Sequence, residues 1–301
     1  MKRTIHTLCD QLHFSNGHGY CATAISEVTL FRAAHHEAAC PLLYDRGLVF
    51  IFQGFKIGAM AGREFRTGGD RYLILCNAQA VRCETLATSE EPLLGLHIGI
   101  DLLELQRLLQ VLRDERRRTH ESRIVPERPL VSAKLNEDIQ QVVDELIETL
   151  HDVCASKALG SSCLTRLYFS VLKSEDGRVL EALALADSKL ARISAAMRHM
   201  EAHLNQKISM EELADIASMS LSAFHRIFRE VTGETPLQYL KQLRLSTARN
   251  LMAFHGKTAS VAAQSVGYES ANQFSREFKR YFGLPPSRVA ELPYATLQGM
   301  G

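Results

Sequence analysis

FHRIFREVTGETP at residues 224–236 and FSREFKRYFGLPP at residues 274–286 are two copies of one pattern. Phe224 and Phe274, Phe228 and Phe278, Gly233 and Gly283, and Pro236 and Pro286 each stand 50 residues apart. Four coincidences of Phe, Gly and Pro at one offset mark an internal repeat. Each copy follows a small-residue stretch and a turn signal, EELADIASMS at 211–220 and SVAAQSVGYES at 260–270.

Each copy has the physics of a helix-turn-helix. In the first, Ser209 is placed to cap a helix, with Glu212 completing a capping box. Leu213, Ala214 and Ala217 make its inward stripe, and small alanines let the next helix approach closely. Ser220 then caps a second helix whose Leu221, Phe224, Ile227, Phe228 and Val231 point to a core. Ser222, His225, Arg226 and Arg229 are left on the opposite face, where a recognition helix meets base edges. In the second copy Ser270 is the cap and Phe274, Phe278 and Phe282 are core, with Ala271, Asn272, Ser275, Arg276 and Lys279 outward. Arg226 and Arg276 offer the bidentate donors that suit guanine, Asn272 suits adenine, and the serines suit either pair.

The join between the copies fits the same purpose. Thr235 followed by Pro236 is a helix start, and the helix from Pro236 to Phe254 spans roughly 28 Å at about 1.5 Å per residue. Such a spacer sets two recognition helices about one turn of B-DNA apart, near 34 Å. Arg229, Arg244, Arg249, Lys257, Lys279, Arg280 and Arg288 are the candidate phosphate contacts, which give salt-dependent affinity without sequence choice.

Upstream, 301 residues leave room for a second domain. Apolar residues are 46% and charged residues 23%, the proportions of a soluble globular chain. The net charge of +1 conceals an asymmetry: Asp187–Gly301 holds 14 Lys and Arg against 10 Asp and Glu, so the basic surplus sits with the repeat. Architectural or nonspecific DNA binders carry far more positive charge, so this modest surplus argues for sequence-specific binding. No run is long and apolar enough to span a membrane, and MKRTIHTLCDQLHF lacks the apolar stretch of a secretory signal, so a cytoplasmic protein without membrane partners is expected. Seven widely spaced cysteines without a CxxC pair indicate neither a disulfide framework nor a structural zinc site.

Residues 20–100 alternate β-branched and aromatic runs with turn signals at Asp45-Arg46-Gly47, Gly54, Gly68-Gly69-Asp70 and Glu91-Pro92, the pattern of an antiparallel barrel or sandwich. From Asp101 the spacing becomes helical, ending in Arg116-Arg117-Arg118, which reads as the solvated cationic end of a helix. After a segment bounded by Pro126 and Pro129, a second helix is expected over 132–155 with Leu135, Ile139, Val142, Val143, Leu146, Ile147 and Leu150 on one face. That face fits intrachain packing or a dimer seam equally. A third helical stretch covers 161–186, interrupted at Asp176-Gly177. The division expected is a β-domain over 1–130, a helical connector and dimerisation region over 131–186, and a DNA-binding domain over 187–301.

From Lys189 to Pro293 the sequence closely resembles the AraC/XylS family of bacterial transcription regulators, and GYESANQFSREFKRYFGLPPSRVA is similar to that family's signature over its whole length. The resemblance implies seven helices in two helix-turn-helix subdomains joined by the long helix. It places Ser222, His225 and Arg226 at the base-reading positions of the first subdomain and Ala271, Asn272, Gln273, Ser275 and Arg276 at those of the second. Ser222 is shorter than the side chain frequent there. PLLYDRGLVFIFQGFKIG, RYLILC and PLLGLHIGID resemble the cupin-like N-terminal domain of one AraC subgroup, which implies a small-molecule sensor or dimerisation domain.

The fold expected is therefore α+β and multidomain: a cupin-like β-barrel, a helical connector and an all-α double helix-turn-helix domain. The function expected is a regulator of promoter DNA, an activator because that is commoner among relatives, acting as a homodimer with RNA polymerase a further partner. Gln53, Lys56, Cys76 and His97 are the candidate effector contacts, being polar or polarisable within apolar runs. The rival reading is a cupin-type metal-dependent enzyme fused to a DNA-binding domain. Metal sites in such barrels want His-x-His with a following Glu. Here His35-His36-Glu37 puts its histidines on opposite faces of a strand and His97 stands alone, so no metal, cofactor or catalytic residue is expected. Gly-rich phosphate loops and nucleophile elbows are absent from the sequence.

Overall fold

In the computed structural model, residues 2–60, 63–119, 129–185, 188–292 and 296–297 are described. Pro126 and Asp187 lie outside the described residues, as do the side chains of Arg116, Arg117 and Arg118.

A short helix, α1 (Lys2–Gln11), precedes nine strands: β1 (Gly19–Ala22), β2 (Val28–Ala33), β3 (Glu37–Tyr44), β4 (Gly47–Gln53), β5 (Phe55–Met60), β6 (Arg63–Thr67), β7 (Arg71–Leu75), β8 (Gln79–Leu86) and β9 (Leu93–Gly99). Then come α2 (Leu102–Thr119), β10 (Leu130–Lys134), α3 (Glu137–Leu150), α4 (Val153–Lys173) and α5 (Arg178–Ala184). The C-terminal part is helical: α6 (Lys189–Ala202), α7 (Met210–Ile216), α8 (Leu221–Thr232), α9 (Pro236–Ala253), α10 (Ala259–Ser265), α11 (Ala271–Phe282) and the 3₁₀ turn Pro286–Glu291. Thr296–Leu297, β11, returns to the β-domain and runs parallel to β3. The expected α+β, two-part architecture is present, with six α-helices and a 3₁₀ turn among the described residues of the C-terminal part.

The strands form two sheets, in the orders β1-β2-β9-β4-β7-β10 and β11-β3-β8-β5-β6. The β-domain is thus the sandwich of the two arrangements expected for residues 20–100, a pair of sheets that does not close into a barrel. Alternation divides the central strands of the first sheet between two cores, whereas β8 of the second sheet buries one face only. Leu94, Leu96 and Ile98 of β9 join the core that covers one sheet with helices α1 to α5, and Leu93 joins the one between the sheets.

Two helical expectations need correction. Residues 132–134 belong to β10, which pairs antiparallel with β7 from Leu130↔Leu75 to Lys134↔Arg71. The helix starts only after Asn136, whose side chain accepts from the Ile139 backbone N–H. The expected apolar stripe holds from Ile139 to Leu150, and its first member, Leu135, lies before the cap. The helix also stops at Leu150, and Asp152 caps α4 by accepting from Ala155 N–H. An Asp at such a position competes for the backbone and favours a new start over continuation. Ile139, Val142, Val143, Leu146, Ile147 and Leu150 are all buried, against helices of the same chain and the first sheet. The intrachain alternative therefore accounts for that face. The third stretch breaks at residues 174–177, around Asp176-Gly177 as expected.

The helical C-terminal region is not tethered loosely. Leu245, Ala248 and Met252 of α9 and Phe274, Phe278 and Phe282 of α11 share one core with strand residues Cys40, Leu42, Val81 and Cys83.

Candidate nucleic-acid interface

The repeat folds as two equivalent units. Ser220 accepts from Ala223 N–H to start α8, and Ser270 accepts from Gln273 N–H to start α11. Gly233 and Gly283 end those helices with φ of 83° and 82°, a left-handed conformation that favours glycine. The inward faces are aromatic. Phe224 meets Phe228 edge-on at 5.5 Å, and Phe228 meets Tyr239 of α9 at 5.6 Å. In the second unit Tyr268, Phe274, Phe278 and Phe282 form a ladder with centroid spacings of 5.3, 5.4 and 4.5 Å. These rings are worth about 0.5–1.5 kcal/mol per pair beyond burial, and they fix which residues face outward.

The leading helices differ slightly from expectation. Ser209 accepts from Glu212 N–H, but the Glu212 carboxylate lies 2.9 Å from His199 Nε2 on α6. The full capping box instead appears at Thr235 and Gln238, at the start of α9.

Ser222, His225, Arg226 and Arg229 are exposed on α8, and Ala271, Asn272, Gln273 and Arg276 are exposed on α11 with Ser275 half-buried. The structure therefore presents the expected base-reading residues in two outward sets of matching register. Arg226 is not without a counter-ion. Its guanidinium lies 3.7 Å from Glu230, whose other oxygen meets Lys189 Nζ at 2.9 Å. The Lys189 ammonium holds the Glu230 carboxyl below its usual range. Arg226 and Glu230 are four apart on one helix, a spacing legible in the sequence. Gln273 is shared with the helix itself, donating to Glu277 at 3.4 Å.

The phosphate candidates divide. Arg229, Lys257, Lys279, Arg280 and Arg288 are exposed, with Lys279 and Arg280 in the last turn of α11. Arg249 is not on that surface. Only 2% exposed, it donates to the Pro41 carbonyl at 3.3 Å and lies over the Phe282 ring at 5.6 Å. Its expected phosphate contact is replaced by a bond between the helical C-terminal region and the sandwich. Arg244 is half-buried and bonded to the carbonyls of Leu204 and Gln206 at 3.0 and 2.7 Å. Both lie on a long helix whose buried residues include the polar Ser246, Arg249 and Asn250, which defeats a reading from periodicity. The same seam holds Tyr239, whose hydroxyl donates to the Ala78 carbonyl.

The four effector candidates are not gathered in one place. Lys56, 3% exposed, points between the sheets, donates to the Tyr44 hydroxyl at 2.9 Å and faces the Phe31 ring at 5.8 Å. Burial pushes its ammonium down, against the pull of Cys83 and Glu37. His97 lies 3.4 Å from the Asp45 carbonyl, and burial pushes its pKa down to about 4, so it is neutral at pH 7. Cys76 is fully buried in the other core, between the first sheet and the helices. Gln53 is half-buried, meets His6 of α1 at 2.9 Å, and lines a cleft of about 480 Å³ with Phe52, Phe55, Leu86 and Glu91. The rival metal-site residues are used elsewhere: His36 pairs with Glu84 at 2.7 Å and Glu37 with His18 at 3.2 Å. Among the described residues no group of three or more His, Cys, Asp or Glu is placed to hold a metal ion, and no helix is long and apolar enough to cross a membrane.

Comparison with known proteins agrees with this geometry. Residues 24–179 match the AraC-type transcriptional regulator N-terminus, and residues 213–291 match a helix-turn-helix domain. The HTH-type transcriptional activator RhaS of Enterobacter sp. (strain 638) is 33% identical over 168 residues, which are 55% of this chain and 59% of that protein. The RCS-specific HTH-type transcriptional activator RclR of Escherichia coli (strain K12) is 37% identical over 100 residues, 33% of this chain and 35% of that one. The matched segment thus spans little more than half the length of the first of these curated relatives and about a third of the second. Among solved structures, ToxT from Vibrio cholerae O395 bound to (E)-4-(8-methylnaphthalen-1-yl)but-3-enoic acid has the same fold, with a TM-score of 0.59 at 14% identity over 91% of this chain and 98% of that one.

Proposed function

The chain belongs to the AraC family of transcriptional regulators, and we propose that it binds promoter DNA sequence-specifically through two major-groove helices and activates transcription. The observation that carries this is the duplicated register: two helices capped by Ser220 and Ser270, closed by Gly233 and Gly283, each baring a polar face over an aromatic core. Ser222, His225 and Arg226 read bases from the first helix, and Ala271, Asn272, Gln273, Ser275 and Arg276 from the second. Arg229, Lys257, Lys279, Arg280 and Arg288 hold the phosphates. Activation is what the relatives RhaS and RclR are named for; work as a cytoplasmic homodimer beside RNA polymerase is part of the same proposal.

The N-terminal region, residues 1–130 with the helical stretch 131–186, takes the sensor role in this reading, and residues 187–301 the DNA-binding role. A small molecule is the effector class we favour, because the same fold in ToxT carries a bound unsaturated carboxylic acid. Lys56 and His97 face the intersheet side of the sandwich and Gln53 lines the cleft at its edge, so these three are the contacts to test first. An effector changes promoter occupancy only by binding one arrangement of the two regions better than another.

The test is recovery of genomic DNA fragments by the purified full chain at about 0.15 M salt. Enrichment of a few sites with two short blocks one helical turn apart is expected. Uniform, weak and salt-sensitive recovery, unchanged by added carboxylic acids, would overturn the reading.

A further inference from the structure

Two recognition helices read a site correctly only if something sets their distance and phase. One base pair of B-DNA advances about 3.4 Å and turns about 35°, so a joint that flexes by that much abolishes spacing preference. The long helix α9 fixes a length, whereas the angle of each unit about that helix has to be held by contacts of its own.

The structure contains a joint where three segments meet. Arg244 projects from the middle of α9. Its Nε donates to the Leu204 carbonyl at 3.0 Å and one terminal nitrogen donates to the Gln206 carbonyl at 2.7 Å. Both carbonyls belong to the α6–α7 turn of the first unit, just beyond the C-terminal end of α6, where a cation is favoured. The third segment is the α10–α11 turn of the second unit. Gly267 sits there with φ of 84°, and a Cβ on it would come within 2.7 Å of the Leu204 carbonyl and 3.2 Å of the Arg244 guanidinium. The turn of the second unit therefore rests directly on the turn of the first, with Arg244 spanning the seam. A second tie holds the recognition helix itself. Glu277 of α11 binds Lys241 of α9 at 2.8 Å and the Tyr268 hydroxyl at 2.9 Å, one residue from Gly267.

We infer that Arg244 is a positioning residue for DNA recognition: it locks the two helix-turn-helix units to each other and so sets the spacing of the two blocks this protein reads. This rests on the DNA-binding reading above and adds to it a determinant that touches no DNA. The residue type follows from the geometry, because a planar fork holds two carbonyls at once whereas a lysine ammonium is a single point donor on a looser stem. Glu277 and Lys241 act in the same joint, with Lys241 securing α11.

The experiment uses the full chain and duplexes recovered by the unaltered protein, each carrying two blocks, together with versions gaining or losing one base pair between the blocks and a version with one block randomised. The unaltered chain should discriminate against either spacing change by about tenfold or more, equivalent to roughly 1.4 kcal/mol. In Arg244→Lys that discrimination should fall to within about twofold, while affinity for the one-block duplex stays within about twofold of the original. Lys241→Met, an alteration on the partly exposed side of the joint, should weaken spacing discrimination in the same direction. Retained discrimination in both variants overturns the inference, and so does an equal loss on every duplex including the one-block form, which is what simple destabilisation produces. If the unaltered chain recovers no two-block duplex, the DNA-binding reading fails first, before any variant is compared.

Discussion

Arg249, on the helix that joins the two recognition units, donates to the carbonyl of Pro41 in strand β3, 208 residues away in sequence. This bond makes the DNA-binding region a continuation of the sandwich. It sits beside the shared core of Leu245, Ala248, Met252, Leu42 and Val81. Burial lowers the pKa of the Arg249 guanidinium, against the opposing pull of Cys40, Tyr20 and Glu37. Arg249→Ala leaves the buried Pro41 carbonyl without its donor, and a loss of about 1–3 kcal/mol in unfolding free energy is expected. The salt dependence of DNA binding by the full chain should not change, because no phosphate contact is lost. A shallower salt slope in this variant would restore the surface role that the sequence pattern assigned.

Arg276 is exposed on α11 and forms no ion pair among the described residues, unlike Arg226, which faces Glu230 at 3.7 Å. Arg276→Ala should therefore cost about 1–3 kcal/mol of specific affinity and relax preference at one base pair. Competition binding against a set of single-base variants of the recovered site reads this directly. Unchanged affinity and unchanged base preference would remove α11 from the reading surface. Arg226→Ala should cost less, because its guanidinium gives up a Glu230 interaction to reach DNA.

The difference between these arginines shows what the sequence could and could not tell. The repeat at an offset of 50, the caps at Ser220 and Ser270, the glycine stops and the aromatic cores follow from local spacing, and local spacing decides helices. The strand β10 was hidden because Leu130 to Lys134 satisfies a helical stripe as well as a strand, and only its antiparallel partner β7 selects between them. Arg244 and Arg249 were hidden for a related reason. A charged residue on a helix is read as solvated unless its partner is known, and their partners are backbone carbonyls at Leu204, Gln206 and Pro41 that carry no sequence signal. The place of Cys76 in an apolar run predicts an effector contact, but the face on which it lies is set by sheet packing.

Lys279 is exposed in the last turn of α11. A phosphate contact there neutralises one charge without reading a base, so Lys279→Ala should weaken binding to specific and random duplexes by a similar factor. It should also reduce the slope of log affinity against log salt by about 1. Titrations at four or five salt concentrations with one specific and one random duplex supply the comparison. A loss confined to the specific duplex would make Lys279 a base reader.

Gly283 ends α11 at φ of 82°, and a Cβ built on it meets nothing within 4 Å. Gly283→Ala therefore carries no packing clash, only the left-handed backbone strain of about 1–2 kcal/mol. Gly283→Asn should cost less, since Asn tolerates that region. Denaturant unfolding of the three proteins should rank them Gly, Asn, Ala. Equal stability of all three would mean that the helix end relaxes into another conformation.

Glu201 of α6 faces the sandwich at the seam, and it ties proton binding to the docking of the two regions. Burial pushes its carboxyl up to about 7, Asp45 adds to the rise, and Arg46 and Arg198 oppose it. One of its buried carboxylate oxygens, Oε1, has no hydrogen-bond partner. In the unfolded chain a glutamate loses its proton near pH 4.3. Between that value and about 7 the folded protein keeps a proton that the unfolded chain has released, so the folded state loses stability steadily as pH rises. Above about pH 7 both states are ionised and the full penalty of burying the charge is present, on the order of 2 kcal/mol after allowance for partial exposure. Glu201→Gln is neutral at every pH and escapes this penalty. The variant should match the original protein near pH 4.5 and exceed it in unfolding free energy at pH 8, with the gap opening across the interval. A difference between the two that does not change with pH would show that the Glu201 carboxylate ionises at the seam without cost.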